Sequence, residues 1–290
     1  MEKIDKIVVL GASGLIGHKV FYNLKKNKKF RVYSVSKTTK VNADTQLIDL
    51  TNFYKLETFI KNLKPDFIVN CVGLLIEDSN TLKYESIILN ALLPNHLHKI
   101  SKKFNFRLIH ISTDCVFSGN SISSYKECDL PDGLSNYAKT KSLGEINKKD
   151  ALTIRTSVVG PQIKDGDELF HWFMKQSGEI KGYKKAFWSG VTTIVLAKGV
   201  EWAIINKISG IYNLTNGKKI SKYDLLSLFK KHTNKKINII PDEKIKTDKS
   251  FIDTRKKIDF EISNYDKMIE EMIIDINKNK KLYQKLYFSE

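Results

Sequence analysis

The sequence predicts an α/β protein with a doubly wound parallel sheet, and three observations carry that expectation. A β-rich run, "KIVVL" at 6–10, leads without a spacer into the glycine turn "GASGLIG" and a helical pattern. Short apolar runs then alternate with helical patterns through the first half of the chain, as parallel strands do when crossover helices cover both faces of their sheet. After about residue 160 the rhythm changes, and helical patterns surround only short β-rich runs. Residues 1–160 are therefore expected to form a Rossmann-type domain. Residues 161–290 are expected to form a smaller mixed region that returns one strand to the main sheet.

Strands are expected at 6–10, 31–36, 46–50, 66–72, 107–112 and 152–159, and helices at about 15–27, 52–63, 84–104 and 135–148. In the second region helices are expected at about 167–177, 192–206, 221–232 and 264–283, with strands at 210–215 and 236–240. The last helical pattern puts Met268, Ile269, Met272 and Ile273 on one side. That side packs on its own domain or on a second subunit of a homodimer, and the pattern is compatible with both.

Composition narrows the functional classes. With 41% hydrophobic residues over 290 positions the chain is globular, and it has no run of about 18 apolar residues that would span a membrane. The N-terminus enters a strand directly, without the apolar core and small-residue site of a signal peptide. Cys71, Cys115 and Cys128 have neither disulfide-framework nor metal-ligand spacing, so no metal and a cytoplasmic location are expected. The net charge of +17 comes from lysines scattered along the whole chain. They form no single stripe, which argues for a solvated surface and against nucleic-acid binding, although the charge helps attract a small anionic substrate.

The glycine turn is a candidate dinucleotide site. Gly11 lets the chain turn sharply, Gly14 lets backbone amides approach a diphosphate, and Gly17 lets the helix pack closely on the sheet. Ser13, Leu15 and Ile16 complete the cofactor-binding turn. The end of the second strand reads "SVSKTTK", where an NAD site usually carries an acidic residue. Ser36 and Lys37 suit a 2′-phosphate, so NADP(H) is favoured over NAD(H). Asp49, followed by Leu50, either accepts from the adenine amino group or belongs to a helix N-terminal cap.

A second candidate lies in "SNYAKTK", where Tyr137 and Lys141 share one helix face at i and i+4. An ammonium beside a phenol draws its pKa from about 10 toward neutrality, which suits acid–base work. The context is "NCVG" at 70–73, Asn90 in the next helix, "HISTDCVFSG" at 110–119, and the run from Tyr125, Glu127, Asp129 and Pro131 through Tyr137 and Lys141 to Gly144 and Glu145. In these motifs and their order the sequence resembles the extended short-chain dehydrogenase/reductase family, within it the dTDP-4-dehydrorhamnose reductase-like subgroup. The resemblance covers about the first 200 residues well, including "RTSVVGP" and "FWSGVTT", and the last 70 loosely.

The resemblance implies a catalytic Thr113, Tyr137 and Lys141. Lys141 would bind the nicotinamide ribose and lower the tyrosine pKa, and Tyr137 would protonate a carbonyl oxygen that Thr113 also hydrogen-bonds. It also implies Cys71, Val72, Gly73 and Asn90 on the cofactor, and Asp114, Cys115, Val116, Phe117 and His171 beside the substrate, where Trp188 is either a wall of the sugar pocket or ordinary core. The simplest activity it implies is NADPH-dependent reduction of a nucleoside-diphosphate 4-keto-6-deoxy sugar for surface polysaccharide. Sugar-nucleotide dehydratases carry a glutamate where Cys115 stands, which disfavours dehydration. One alternative is an epimerase–reductase in which Cys115 and His171 exchange protons beside the ketone. Another, from a different class, is a non-catalytic NADP-binding subunit that serves a partner enzyme.

Overall fold

The computed structural model describes residues 3–121, 123–255 and 260–288. Strands run through β1 (Asp5–Leu10), β2 (Phe30–Ser36), β3 (Gln46–Leu47), β4 (Phe67–Asn70), β5 (Arg107–Ile111) and β6 (Ala151–Arg155). They continue through β7 (Val158–Val159), β8 (Gly178–Trp188), β9 (Val191–Thr192), β10 (Gly210–Asn213), β11 (Ile220–Ser221) and β12 (Ile237–Asp248). The helices are α1 (Leu15–Leu24), α2 (Phe53–Leu63), α3 (Ile76–Thr81), α4 (Lys83–Ser86), α5 (Leu93–Phe104) and α6 (Asn136–Leu143). They end with α7 (Leu169–Lys175), α8 (Thr193–Ile205), α9 (Lys222–Thr233), α10 (Tyr265–Lys278) and α11 (Lys280–Tyr287).

Seven parallel strands form the main sheet in the order β10-β6-β5-β4-β1-β2-β3. Alternation along them explains their continuous apolar runs. Ile7, Val9, Val69, Ile109 and Leu152 belong to a core shared with α1 and α8, while Val8, Leu10, Ile68 and Leu108 belong to one shared with α2 and α5. Both faces are buried, so no polar alternation survives. The pairs Leu10↔Val35, Leu10↔Asn70, Asn70↔His110 and Ile111↔Ile154 align the strand ends along one edge. The order reverses between β1 and β4, where an open α/β sheet leaves a crevice for ligands.

Several boundaries differ from expectation. The sixth strand divides: β6 stays in the main sheet and β7 pairs with β9. The helix expected over 84–104 contains a π-helical turn, Ile87–Leu92. Pro94 lies in the first turn of α5 and cannot donate to a carbonyl one turn back, which accounts for the local widening. The longest strand of the first three-quarters of the chain, β8, pairs with both β11 and β12, and the sequence pattern gives no expectation of it. Its lysines dilute the apolar signal, although Ile180, Gly182, Ala186 and Trp188 alternate inward. The last helix divides at Asn279, and α10 buries Met268, Ile269 and Met272 against its own chain, with Ile273 half-buried. Among the described residues no helix is long and apolar enough to cross a membrane.

Candidate active site

The glycine turn is built by close approach of backbone to backbone. Gly11 has φ 74°, and the Gly14 amide donates to its carbonyl at 2.9 Å. A Cβ on Gly17 would lie 2.1 Å from the Gly11 carbonyl oxygen and 3.0 Å from Ala12 Cα, so only glycine lets α1 sit on the turn. Helix α1 begins at Gly14 without a side-chain cap, and its first turn holds no acidic residue. The free amides and positive end of its dipole are thus left for an anion, and this cradle fits a dinucleotide diphosphate. Ser13 is buried, and Leu15 and Ile16 are half-buried within it. Behind the turn, His18 Nδ1–H donates to the Gly14 carbonyl (2.9 Å), which leaves Nε2 to accept from the Tyr283 hydroxyl (3.1 Å). Burial pushes this imidazole down to about 4, so it is neutral at physiological pH.

At the end of β2 the two expected phosphate ligands part company. Ser36 is buried and its hydroxyl has no partner among the described residues, so it is Lys37 that presents charge at this edge. Lys37 pairs with Asp49 at 3.0 Å. Asp49 also accepts the amide (3.1 Å) and hydroxyl (2.8 Å) of Thr51, and that amide, with Lys37 adding, holds its carboxyl below the usual range. Helix α2 takes its cap from Asn52, so Asp49 closes the turn before the helix, and Leu50 is buried there.

On the loop after β4, Cys71 and Val72 are half-buried and Gly73 is exposed. Asn90 is different from expectation. It is fully buried, accepts from the Leu74 amide (2.9 Å), and donates to the Leu74 carbonyl (3.1 Å), Ser86 Oγ (3.1 Å) and Thr140 Oγ1 (3.2 Å). With its amide engaged inside the protein, Asn90 ties this loop to α6.

Helix α6 carries Tyr137 and Lys141 under the same edge. Ser135 caps it, accepting from the Ala138 amide at 3.1 Å, and both side chains point inward. Lys141 Nζ donates to the Ile111 carbonyl at the end of β5 (2.7 Å). It lies 3.7 Å from where a Cβ on Gly73 would stand, beneath that exposed glycine. Burial lowers this ammonium to about 8, against the opposing pull of Glu145 and Cys71. Thr113 Oγ1 accepts from the Cys115 amide and donates to Asp114 Oδ1, each at 3.1 Å, and its hydroxyl also adjoins the Tyr137 phenol. The expected lowering of the phenol pKa by Lys141 is absent. Burial pushes Tyr137 well above its usual value, Cys115 adds to the rise, and Thr113 opposes it. The phenol therefore keeps its proton at neutral pH, as a proton donor must.

The expected substrate residues divide. Asp114 is buried beside Thr113, and Cys115 is half-buried, its thiol pushed up to about 12, first by burial. Val116 and Phe117 are core residues. Phe117 stacks on Tyr125 at 4.0 Å beneath the Arg155 guanidinium, so neither faces a ligand. Trp188 is 3% exposed and packs near Tyr265, which makes it core rather than a pocket wall. His171 is fully buried, with Nδ1 on the Tyr287 hydroxyl (2.9 Å) and Nε2 on Asp165 (2.7 Å). Both ring nitrogens are committed, and the thiol of Cys115 is held neutral, so this pair is not set up for proton exchange at a sugar carbon.

Much of the motif run is scaffolding. Glu145 forms a two-pronged pair with Arg155 (2.7 and 2.8 Å) and accepts from Ser112 (2.7 Å). Glu127 accepts from the amides of Asn213 and Thr254, both at 3.1 Å, and so fastens β10 to the segment after β12. Two lysines that the sequence reading did not single out, Lys222 and Lys249, approach Cys115 from the second region. Each sits in a lysine-rich stretch, so nothing in the pattern distinguished it from surface charge.

Comparison with known proteins agrees with this fold. The dTDP-4-dehydrorhamnose reductase of Bacillus anthracis str. Ames, solved in complex with NADP, has the same fold, with a TM-score of 0.82 at 20% identity over 94% of this chain and 100% of that one. The spore coat polysaccharide biosynthesis protein SpsK of Bacillus subtilis is 26% identical over 229 residues, 76% of this chain and 77% of its own length. Methionine adenosyltransferase 2 subunit beta of Xenopus laevis is 25% identical over 235 residues, 76% of this chain and 70% of its own. A family profile described as the RmlD substrate binding domain matches residues 5–250, a span that takes in the glycine turn, the Thr113–Tyr137–Lys141 cluster and both lysines of the second region, and the chain belongs to that family.

Proposed function

We propose that this chain is an NADPH-dependent reductase of a nucleoside-diphosphate 4-keto-6-deoxy sugar, working in the supply of sugars for surface polysaccharide. The observation that carries the reading is the convergence of Thr113, Tyr137 and Lys141 at the end of β5, on the same sheet edge as the anion cradle of α1. When bound, NADPH supplies the hydride that the carbonyl carbon accepts. The amides at the start of α1 would hold its diphosphate, and Lys37 would take its 2′-phosphate. Tyr137 gives its phenolic proton to the carbonyl oxygen, and Thr113 turns its hydroxyl to donate to the same atom. Lys141, one helical turn from Tyr137 and beneath Gly73, would hold the nicotinamide ribose beside the phenol. Burial is part of this mechanism: it keeps the phenol protonated until negative charge develops on the substrate oxygen, and it strengthens each interaction there.

The test is NADPH consumption with dTDP-, UDP- and GDP-linked 4-keto-6-deoxy sugars. Tyr137→Phe should lower kcat by about 100- to 10,000-fold while NADPH affinity stays within about twofold. Unchanged turnover in that variant would reject the assignment. NADPH binding without reduction of any of the three sugars would instead favour a non-catalytic role, the class suggested by similarity to methionine adenosyltransferase 2 subunit beta.

A further inference from the structure

The motif "HISTDCVFSG" opens on a residue that the reductase reading leaves unused. His110 lies on β5 opposite Asn70 of β4, and both side chains are fully buried. Asn70 Oδ1 accepts from the Val72 amide at 3.1 Å, which fixes the orientation of its own amide group. Asn70 Nδ2 therefore donates to His110 Nδ1, also at 3.1 Å, and the ring accepts there. Burial, with the charge of Lys141 adding, holds the imidazole well below its usual range, so it is neutral and carries its one proton on Nε2.

This tautomer opposes stability. Nε2–H is buried without a partner among the described residues, and an apolar side chain would bury no such donor. The neighbours on the same face of β4 and β5, Ile68 and Leu108, are core residues. A polar ring kept among them against the local rule marks a position that function sets.

The pair holds the loop after β4, which joins the two halves of the site. At its start the loop presses on the glycine turn: a Cβ on Gly11 would stand 3.0 Å from Val72 Cγ2 and 3.3 Å from the Cys71 carbonyl. At Gly73 it lies over Lys141 Nζ. Its ends are tied, the Cys71 amide to the Leu10 carbonyl (3.1 Å) and the Leu74 amide to Asn90 Oδ1 (2.9 Å). Between those ties Asn70 holds the Val72 amide, and His110 holds Asn70. We propose that His110 is a positioning residue: its Nδ1 orients Asn70, and Asn70 sets the loop at its working distance from the glycine turn and Lys141. The inference rests on the reductase reading above, in which cofactor lies along this loop. His110 itself touches neither cofactor nor substrate and moves no proton.

The experiment measures NADPH affinity, kcat and thermal melting in wild type, His110→Asn, His110→Gln and His110→Met. Asparagine carries an oxygen where Nδ1 of histidine stands, glutamine carries its polar group at the place of Nε2, and methionine fills the space without an acceptor. His110→Asn should stay within about threefold of wild type in NADPH affinity and kcat. His110→Gln and His110→Met should each weaken NADPH binding about tenfold and lower kcat about tenfold. They remove the acceptor independently, so either one suffices if the other fails to fold. A side chain that only fills space would give the reverse order, because glutamine and methionine match the volume of histidine better than asparagine does. That order would overturn the inference, as would wild-type behaviour in all three variants, equal losses in all three, or losses that follow the melting temperature and not the acceptor. The two readings fail separately. NADPH affinity that follows the acceptor with no reduction of any 4-keto sugar removes the reductase and leaves the positioning role, whereas sugar reduction that is indifferent to residue 110 removes the positioning role and leaves the reductase.

Discussion

The two sides of the cleft are built by different physics. The cofactor side is backbone: a turn at φ 74°, a helix start without a cap, and a glycine whose missing Cβ would stand 2.1 Å from a carbonyl oxygen. The proposed sugar side is side chains gathered from distant segments: Thr113 and Cys115 after β5, with Lys222 of α9 and Lys249 just after β12 approaching Cys115. A backbone cradle admits few solutions and leaves its signature in glycine spacing, whereas a side-chain wall can be assembled from any residue that the fold delivers. The first is therefore fixed in form by sterics, and the second is free to set specificity.

The strongest way to break that contrast is at Gly17. Gly17→Ala drives a methyl into the Gly11 carbonyl with no flexible neighbour to yield. It should cost about 3 kcal/mol of stability and lower NADPH affinity about 100-fold, read by thermal melting and fluorescence titration. Wild-type NADPH affinity in this variant would show that the turn tolerates movement and that the two sides are less different than described.

An intermediate effect concerns pH. Lys141 titrates at about 8 in the folded chain because burial lowers it from 10.5. If its charge is what holds the nicotinamide ribose, kcat/KM should be level below pH 8 and fall up to tenfold per pH unit above it. Glu168 titrates in the same range, and Glu145, Cys71 and His110 adjoin Lys141. The control is Glu168→Gln, which should retain the fall. Unfolded chains keep the lysine proton up to 10.5, so this group makes stability rise with pH across the same window. A fall that disappears in Glu168→Gln would move the titration off Lys141.

The smallest expected effect sharpens the sugar side. Reduction run in D2O should leave the carbons beside the new alcohol free of solvent deuterium by NMR, and Cys115→Ser should change kcat by less than about threefold. Deuterium uptake there would restore proton exchange by Cys115 and His171, against the buried, doubly hydrogen-bonded imidazole.

Legibility in the sequence follows the same division. The strands of the main sheet are apolar on both faces and stand out as runs, and Gly11, Gly14 and Gly17 announce the turn between β1 and α1. Tyr137 and Lys141 are legible as a pair only because helical spacing puts both on one face. Strand β8 was hidden by its lysines, and the π-helical turn by an otherwise ordinary helical pattern with a proline at its end. Asn90, Phe117, Trp188 and His171 have the right residue types for a site, but burial and committed hydrogen bonds give them structural work, which a single sequence does not encode locally. Lys222 and Lys249 were invisible for the opposite reason, since a lysine-rich chain offers no contrast against which two ammoniums near Cys115 stand out.

The last helix shows where the chain can and cannot be divided. Tyr283 on α11 reaches His18, which holds the Gly14 carbonyl, while Tyr287, one turn further on, accepts from the Gln162 amide and meets His171. One short helix near the C-terminus thus fastens both the nucleotide turn and the loop that follows β7. The change of rhythm near residue 160 is a boundary in pattern and not in mechanics. A fragment ending there would lose the edge strand β10 and the support behind its own glycine turn.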